Sequence, residues 1–301
     1  MSSRRCHVFV LLCSMIAACG GGGGTTCTTD DQCPSHFCKA DGTCGMATVD
    51  AAPGSDAPMN GDGSDSGLCA PNHDGTISAA EVPLKAGQMA SFRIATNATW
   101  NTAGHTNTDG SRTWDLTGQL ANDADSPLAL TSPSGTWWAA DFPNAQYATT
   151  LAAGSDLQGV FAVDASGVTL LGVVSPTGGT YKTELTYDPP AKILALPFTA
   201  GDTWMSSSTV SGYAQGVIVA YTEDYSSRAD QVGTMTTPYG AFPVLRVATD
   251  LTRTSGITTL LTKRTFAWVA ECFGTIAKVA GQDNDTSTEL SDDAEVERLS
   301  Q

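Results

Sequence analysis

From Cys69 onward the apolar residues fall in short runs of period two, and no segment keeps a helical period beyond a turn or two. The pattern is plainest in Val160-Phe161-Ala162-Val163 and Val168-Thr169-Leu170-Leu171-Gly172-Val173-Val174. These two β-branched runs are separated by Asp164-Ala165-Ser166-Gly167, the residue types of a hairpin turn. A third alternating run, 180–187, follows Gly178-Gly179, and further strands are predicted at 90–95, 113–120, 217–221, 242–248, 257–269 and 274–279. Such a succession specifies an all-β domain over residues 69–301. Its expected form is a large curved antiparallel sheet, either a half-barrel or a two-sheet sandwich. Val82-Pro83-Leu84-Lys85-Ala86-Gly87 is echoed by Leu196-Pro197-Phe198-Thr199-Ala200-Gly201. The echo is either the trace of a duplication or the mark that Pro and Gly leave at the entrance to a strand.

The first 68 residues have a different composition. Residues 45–68 are dominated by Gly, Asp, Ser, Ala and Pro, which marks a flexible linker. As a random coil it would span roughly 25–30 Å. Residues 27–44 hold Cys27, Cys33, Cys38 and Cys44 in the spacing C-x5-C-x4-C-x5-C. So short a piece buries no core of its own. It is expected to be a disulfide-rich knot, with four thiolates on a zinc ion as the alternative. Cys69 and Cys272 stand at opposite ends of the β domain, either bridged or as two free buried thiols. A bridge closing so long a loop contributes roughly 5 kcal/mol in the chain-entropy account. Residues 1–18 carry Arg4 and Arg5, then the apolar stretch Val8-Phe9-Val10-Leu11-Leu12-Cys13-Ser14-Met15, which reads as a signal peptide.

The residues Ile16-Ala17-Ala18-Cys19, followed by five glycines, resemble the lipobox of bacterial lipoproteins. The resemblance implies that Cys19 is lipidated and the preceding peptide removed, leaving a Gly-rich tether at 19–26. Lipid of two or three chains holds a protein on a membrane durably. The alternative is an ordinary cleaved signal peptide with Cys19 left for a disulfide. Gly20, where some lipoproteins have Asp, implies the outer membrane of the cell envelope. The cysteine cluster, from Cys27-Thr28-Thr29-Asp30-Asp31 to Asp41-Gly42-Thr43-Cys44, resembles the Dickkopf-N-like repeats of myxobacterial surface proteins. Typical small knots of this kind would pair Cys27 with Cys38 and Cys33 with Cys44. Tyr187-Asp188-Pro189-Pro190 and Ala270-Glu271-Cys272-Phe273-Gly274 resemble segments of uncharacterised myxobacterial lipoproteins. The order Leu196-Pro197-Phe198, then Gly201-Asp202-Thr203-Trp204, resembles the curved antiparallel sheets of envelope lipoproteins.

The chain carries a formal net charge of −16, which repels phosphate backbones and anionic head groups and excludes nucleic acid as a partner. The best-shaped site is Asn72-His73-Asp74-Gly75-Thr76-Ile77-Ser78-Ala79-Ala80-Glu81, which resembles most of an EF-hand loop. The resemblance implies weak calcium binding by Asn72, Asp74, Ser78 and Glu81 side chains and the Thr76 carbonyl. Ala70 at the first ligand position and Pro83 after the loop depart from that pattern. The alternative is structural, with Ser78 and Glu81 forming a capping box. No other cofactor is expected. Beyond residue 45 the histidines are His73 and His105, and no G-x-S-x-G, H-E-x-x-H or phosphate-binding glycine loop occurs. No catalytic residue is assigned. Trp137-Trp138 stands out among the tryptophans, because neighbours on a strand face opposite sides and one of them could face a ligand. The sequence therefore reads as a membrane-anchored envelope lipoprotein with a non-catalytic binding or structural β domain, its ligand apolar or a glycan. An exported hydrolase with a loop-assembled active site is the rival.

Overall fold

The computed structural model describes residues 69–301; the predicted signal peptide, the lipidation site Cys19, the Cys27–Cys44 cluster and the linker lie outside the described residues. The strands, in chain order, are β1 (Thr76–Ile77), β2 (Met89–Thr99), β3 (His105–Thr106), β4 (Arg112–Asp115), β5 (Ala124–Ala129), β6 (Tyr147–Thr150), β7 (Gln158–Asp164) and β8 (Gly167–Val174). They continue as β9 (Glu184–Ala195), β10 (Phe198–Thr199), β11 (Thr203–Ala214), β12 (Val217–Thr236), β13 (Ala241–Ser255), β14 (Thr258–Ala270), β15 (Gly274–Gly281) and β16 (Asp292–Leu299). The main sheet runs β5-β2-β16-β15-β14-β13-β12-β11-β9-β8-β7-β6. Its two edges meet at one bridge, Thr131 with Ala148, where each N–H is donated to the other's carbonyl. The main sheet is thus antiparallel along this path and curls nearly into a barrel.

Local sequence explains the breaks in this sheet. At the tip of β7–β8, Asp164 Oδ1 accepts the N–H groups of Ser166 and Gly167 and fixes the predicted turn. In β9, pairing with β8 skips from Thr186 to Ala191 across Asp188-Pro189-Pro190, where prolines have no N–H to give. In β12 a bulge at Asp230 shifts the register against β13. Past this bulge β11 has ended, and β4 takes its place beside residues 233–236 of β12, in parallel. Gly233 is required there, because a Cβ would lie 1.9 Å from the Arg112 carbonyl oxygen.

Two large cores lie on opposite faces of β13. Leu245 and Val247 enter one, with Tyr187, Phe198, Trp204 and Val210. Phe242 and Val244 enter the other, with Trp114, Phe266, Trp268 and Ile276. This is why 244–247 is buried at every position while strands nearer the edge alternate. The N-terminal segment is stitched onto the sheet. Its β1 pairs with β10, Cys272 donates its N–H to the Glu81 carbonyl, and Cys69 is disulfide-bonded to Cys272. The two echoing hexapeptides are strand-entry turns. Gly87 and Gly201, both at positive φ, donate their N–H groups to Leu130 and Ala229 just before β2 and β11 begin.

Several sequence expectations need adjustment. The run predicted at 113–120 is a strand only to Asp115, and that predicted at 217–221 is the first quarter of a 20-residue strand. Trp137-Trp138 lies in turns rather than on a strand, although Trp138 is buried and Trp137 half-buried. The run predicted at 180–187 becomes a strand only at Glu184, and strands β1, β3, β5, β6, β10, β11 and β16 were not anticipated.

Candidate functional site

A shallow, open concavity with converging polar groups lies where the loop between β2 and β4 folds over the β12 end of the sheet. Its volume is about 320 Å³, and it is lined by Trp100, Asn101, Gly104, His105, Thr113, Trp114, Asp115 and Thr236. Trp100 is held on two sides. Its indole N–H donates to the Asp115 carbonyl at 3.1 Å, and its ring meets Trp268 edge-on at 5.6 Å. Trp114 meets the same Trp268 ring at 5.6 Å and donates its N–H to the Thr102 carbonyl. Gly104 sits at φ +64° against Trp114, where a Cβ would lie 2.5 Å from the indole nitrogen. The loop thus closes so tightly onto Trp114 that only glycine fits.

Two polar side chains of this pocket are held by local hydrogen bonds. Asn101 Oδ1 accepts the Ala103 N–H, and His105 is exposed on the short strand paired with Thr113. Asp115 Oδ1 accepts the N–H and hydroxyl of Thr117, and these hydrogen bonds hold its carboxyl below the usual range. Asp115 is therefore an ionised acceptor at neutral pH. The lining contains no serine or cysteine beside His105 and no second carboxylate.

A buried arginine underlies the pocket. Arg246 on β13 donates Nε and Nη2 to both oxygens of Asp230, Nη2 and Nη1 to both oxygens of Glu289, and Nη1 to the Thr102 carbonyl. All five guanidinium hydrogens are used, and the group lies 4.4 Å from the Phe266 ring centroid. Thr102 completes the knot. Its hydroxyl bonds Glu289 Oε2 and accepts the Leu290 N–H, which ties the pocket loop to the segment before β16. Burial opposes ionisation of Glu289, but hydrogen bonds from Arg246 and Thr102 outweigh it and lower its pKa. Arg298 is satisfied in the same way by Asp123 and the carbonyls of Leu116, Gly118 and Arg93, and it anchors the other side of the loop.

The opposite core holds a second buried network. The Glu223 carboxylate accepts the hydroxyls of Tyr187 and Tyr225 at 2.9 and 2.6 Å, and it pairs with Arg253 at 2.6 Å. Burial, reinforced by Glu223, pushes both phenols well above their usual range. Asp293 on β16 is fully buried with neither carboxylate oxygen hydrogen-bonded, and burial raises its pKa to about 7.

The residues of the EF-hand-like loop are near one another in sequence, but their oxygens are engaged locally. Asp74 Oδ1 accepts the Thr76 N–H, and Asp74 Oδ2 accepts the Asn72 amide. Glu81 is buried, and its Oε2 accepts both the N–H and the hydroxyl of Ser78, the carboxylate half of a capping box. His73 turns to Glu271 through its backbone N–H. Among the described residues no three His, Cys, Asp or Glu side chains are grouped so that they could share a metal ion.

Sequence reading missed Arg246, Glu223 and the Trp100 pocket, since each joins segments far apart in the chain. A signal for one of them was present. Tyr221-x-Glu223-x-Tyr225 places three polar-tipped side chains on one face of a strand.

No family model and no curated protein matches this chain. Two solved structures are similar to it. One is an exported protein with a YmcC-like fold from Bacteroides fragilis, 10% identical with a TM-score of 0.31, covering 72% of this chain and 96% of its own. The other is a lipoprotein from Parabacteroides distasonis, 11% identical with a TM-score of 0.29, covering 72% of this chain and 95% of its own.

Proposed function

We propose that this chain is an envelope lipoprotein, lipidated at Cys19, whose β domain is a non-catalytic module that binds a short glycan in the Trp100 pocket. The observation that carries the reading is the pocket itself. A rigidly held tryptophan is flanked by Asn101, His105 and the ionised Asp115. An indole face packs against the C–H surface of a sugar, while amide, imidazole and carboxylate groups serve its hydroxyls. The volume suits one or two sugar rings, and a larger apolar ligand would find the two cores already filled by side chains.

Export is supported by the lipobox-like sequence and by the Cys69–Cys272 bridge, since such bonds persist in oxidising compartments. The 72–81 loop takes a structural part in this reading, with Glu81 capping a turn. Added calcium should then leave the melting temperature unchanged.

A glycan array probed with the Cys19→Ser chain tests the binding claim. A hit should lose about tenfold affinity, or ~1.4 kcal/mol, on Trp100→Ala, with melting behaviour recorded in parallel. An empty array rejects the glycan. The anchor is tested separately by mass spectrometry, where Cys19→Ala should abolish lipidation and release the protein from membranes.

A further inference from the structure

The largest concentration of exposed apolar side chains lies far from the Trp100 pocket. Among the described residues, six of the eleven exposed large hydrophobics gather at one end of the sheet: Tyr181, Tyr213, Val217, Ile218, Ile257 and Leu260. They sit on adjoining turns. Ala214 pairs with Val217 and Tyr213 with Ile218 at the β11–β12 tip, and Ser255 pairs with Thr258 at the β13–β14 tip. The two hairpins are neighbours through β12 and β13, where Thr222 faces Thr254. The Tyr181 loop is fastened alongside by the Gly216 N–H, which donates to the Lys182 carbonyl. Lys182 lies over the rings of Trp137 and Tyr213, at 4.9 and 5.7 Å, and forms an ion pair with Glu184.

The charge pattern at this end departs from the rest of a strongly acidic chain. No charged residue occurs from 203 to 222 or from 254 to 262. The first charges behind the tips, Glu223, Arg253 and Lys263, are paired: Glu223 with Arg253, and Lys263 with Asp283. Ile257 is 105% exposed and Ile218 76%, so these side chains stand out as separate knobs and do not form the walls of a groove.

We infer that these hairpin tips dock onto a lipid surface, with Val217, Ile218, Ile257 and Leu260 entering its interfacial layer. Isolated apolar knobs suit a fluid partner, which closes around each of them, better than a rigid protein that must offer matching pockets. The tip backbone is hydrogen-bonded within its own hairpins and so brings little polar penalty into the interface. Access does not conflict with the anchor reading, on which it rests. The described chain enters at Cys69, bonded to Cys272 in the β14–β15 turn, at the end of β14 opposite Ile257. Outside the expected knot at 27–44, the chain between Cys19 and Cys69 can extend to roughly 110–120 Å, against about 66 Å for a strand as long as β12. A lipidated protein can therefore bring its far end to the bilayer that holds it.

The test uses the Cys19→Ser chain, so that lipidation plays no part and its failure would be seen separately. Co-sedimentation with phosphatidylethanolamine–phosphatidylglycerol vesicles is compared at low and high salt. The parent should bind at high salt, because apolar contact is not screened, and more weakly at low salt, where a chain of net charge −16 is repelled by the anionic lipid. The variant Val217→Ser/Ile218→Ser/Ile257→Ser/Leu260→Ser should lose at least about tenfold in partitioning. Ile257→Ser alone, at a fully exposed position, should lose part of it without any change in melting temperature. Failure of the parent to bind, or equal binding by parent and variants, overturns the inference. So does sedimentation equilibrium showing a dimer that the same substitutions dissociate.

Discussion

Replacing Arg246 by Met removes a guanidinium that is 1% exposed and keeps a flexible apolar side chain of similar length against Phe266. Asp230 and Glu289 are left without their counter-ion. Breaking a fully buried pair costs about 3–5 kcal/mol. Here the two carboxylates remain 21% and 33% exposed, so water recovers part of that loss, and the expected cost is at the low end, about 3 kcal/mol. For a domain of this size that corresponds to a fall of roughly 6–12 °C in melting temperature. Urea unfolding and calorimetry on the Cys19→Ser chain measure it, and Asp230→Asn with the double variant gives the coupling. A pH series adds a second signature. Because the folded Glu289 pKa is lowered, its contribution is present above the unfolded carboxylate pKa and is lost as pH falls through the folded one. That acid-side loss should flatten in Arg246→Met. A cost below about 1 kcal/mol, typical of exposed pairs, would refute the reasoning.

Other expectations follow from the same geometry. Cys69→Ser/Cys272→Ser opens a loop with a sequence separation of 203 and should lower stability by roughly 5 kcal/mol in denaturant titrations of oxidised protein. Asp293 has a folded pKa raised to about 7, so the folded state binds the extra proton and stability should fall as pH rises from about 4 to 7. Asp293→Asn should reduce that slope and stabilise the protein at pH 8, and a loss of stability there would contradict the assignment. Glu297, raised to about 7 by burial, adds to the slope in the same direction and should persist in the variant. Tyr225→Phe deletes a hydrogen bond to the buried Glu223 carboxylate and should cost about 1.5–3 kcal/mol by equilibrium unfolding.

The all-β class was legible because β7, β8, β13, β14 and β15 are β-branched and alternate or run apolar between turn residues. β11 was not, since of its buried positions Trp204, Ser208 and Val210 only the first and last are apolar, too far apart to declare a period. β16 was hidden by its charges. Asp293, Glu295 and Arg298 are buried in it, and a strand whose inner positions are ionisable reads as a surface segment. The edges of the sheet meet at the Thr131–Ala148 bridge and β12 is bulged at Asp230, and neither feature has a local sequence mark. The pocket depends on Gly104 approaching Trp114 and on Thr102 meeting Arg246 across 144 residues, relations that only the folded chain contains.

The pocket assignment is tested most directly by ¹⁹F NMR of protein labelled with 5-fluorotryptophan, titrated with the saccharide that the array selects. Trp100→Phe identifies its resonance among the six tryptophans. The Trp100 signal should shift with saturation while Trp137 and Trp138 stay fixed. Saturable binding that leaves Trp100 unmoved, or that moves Trp137 instead, would contradict it.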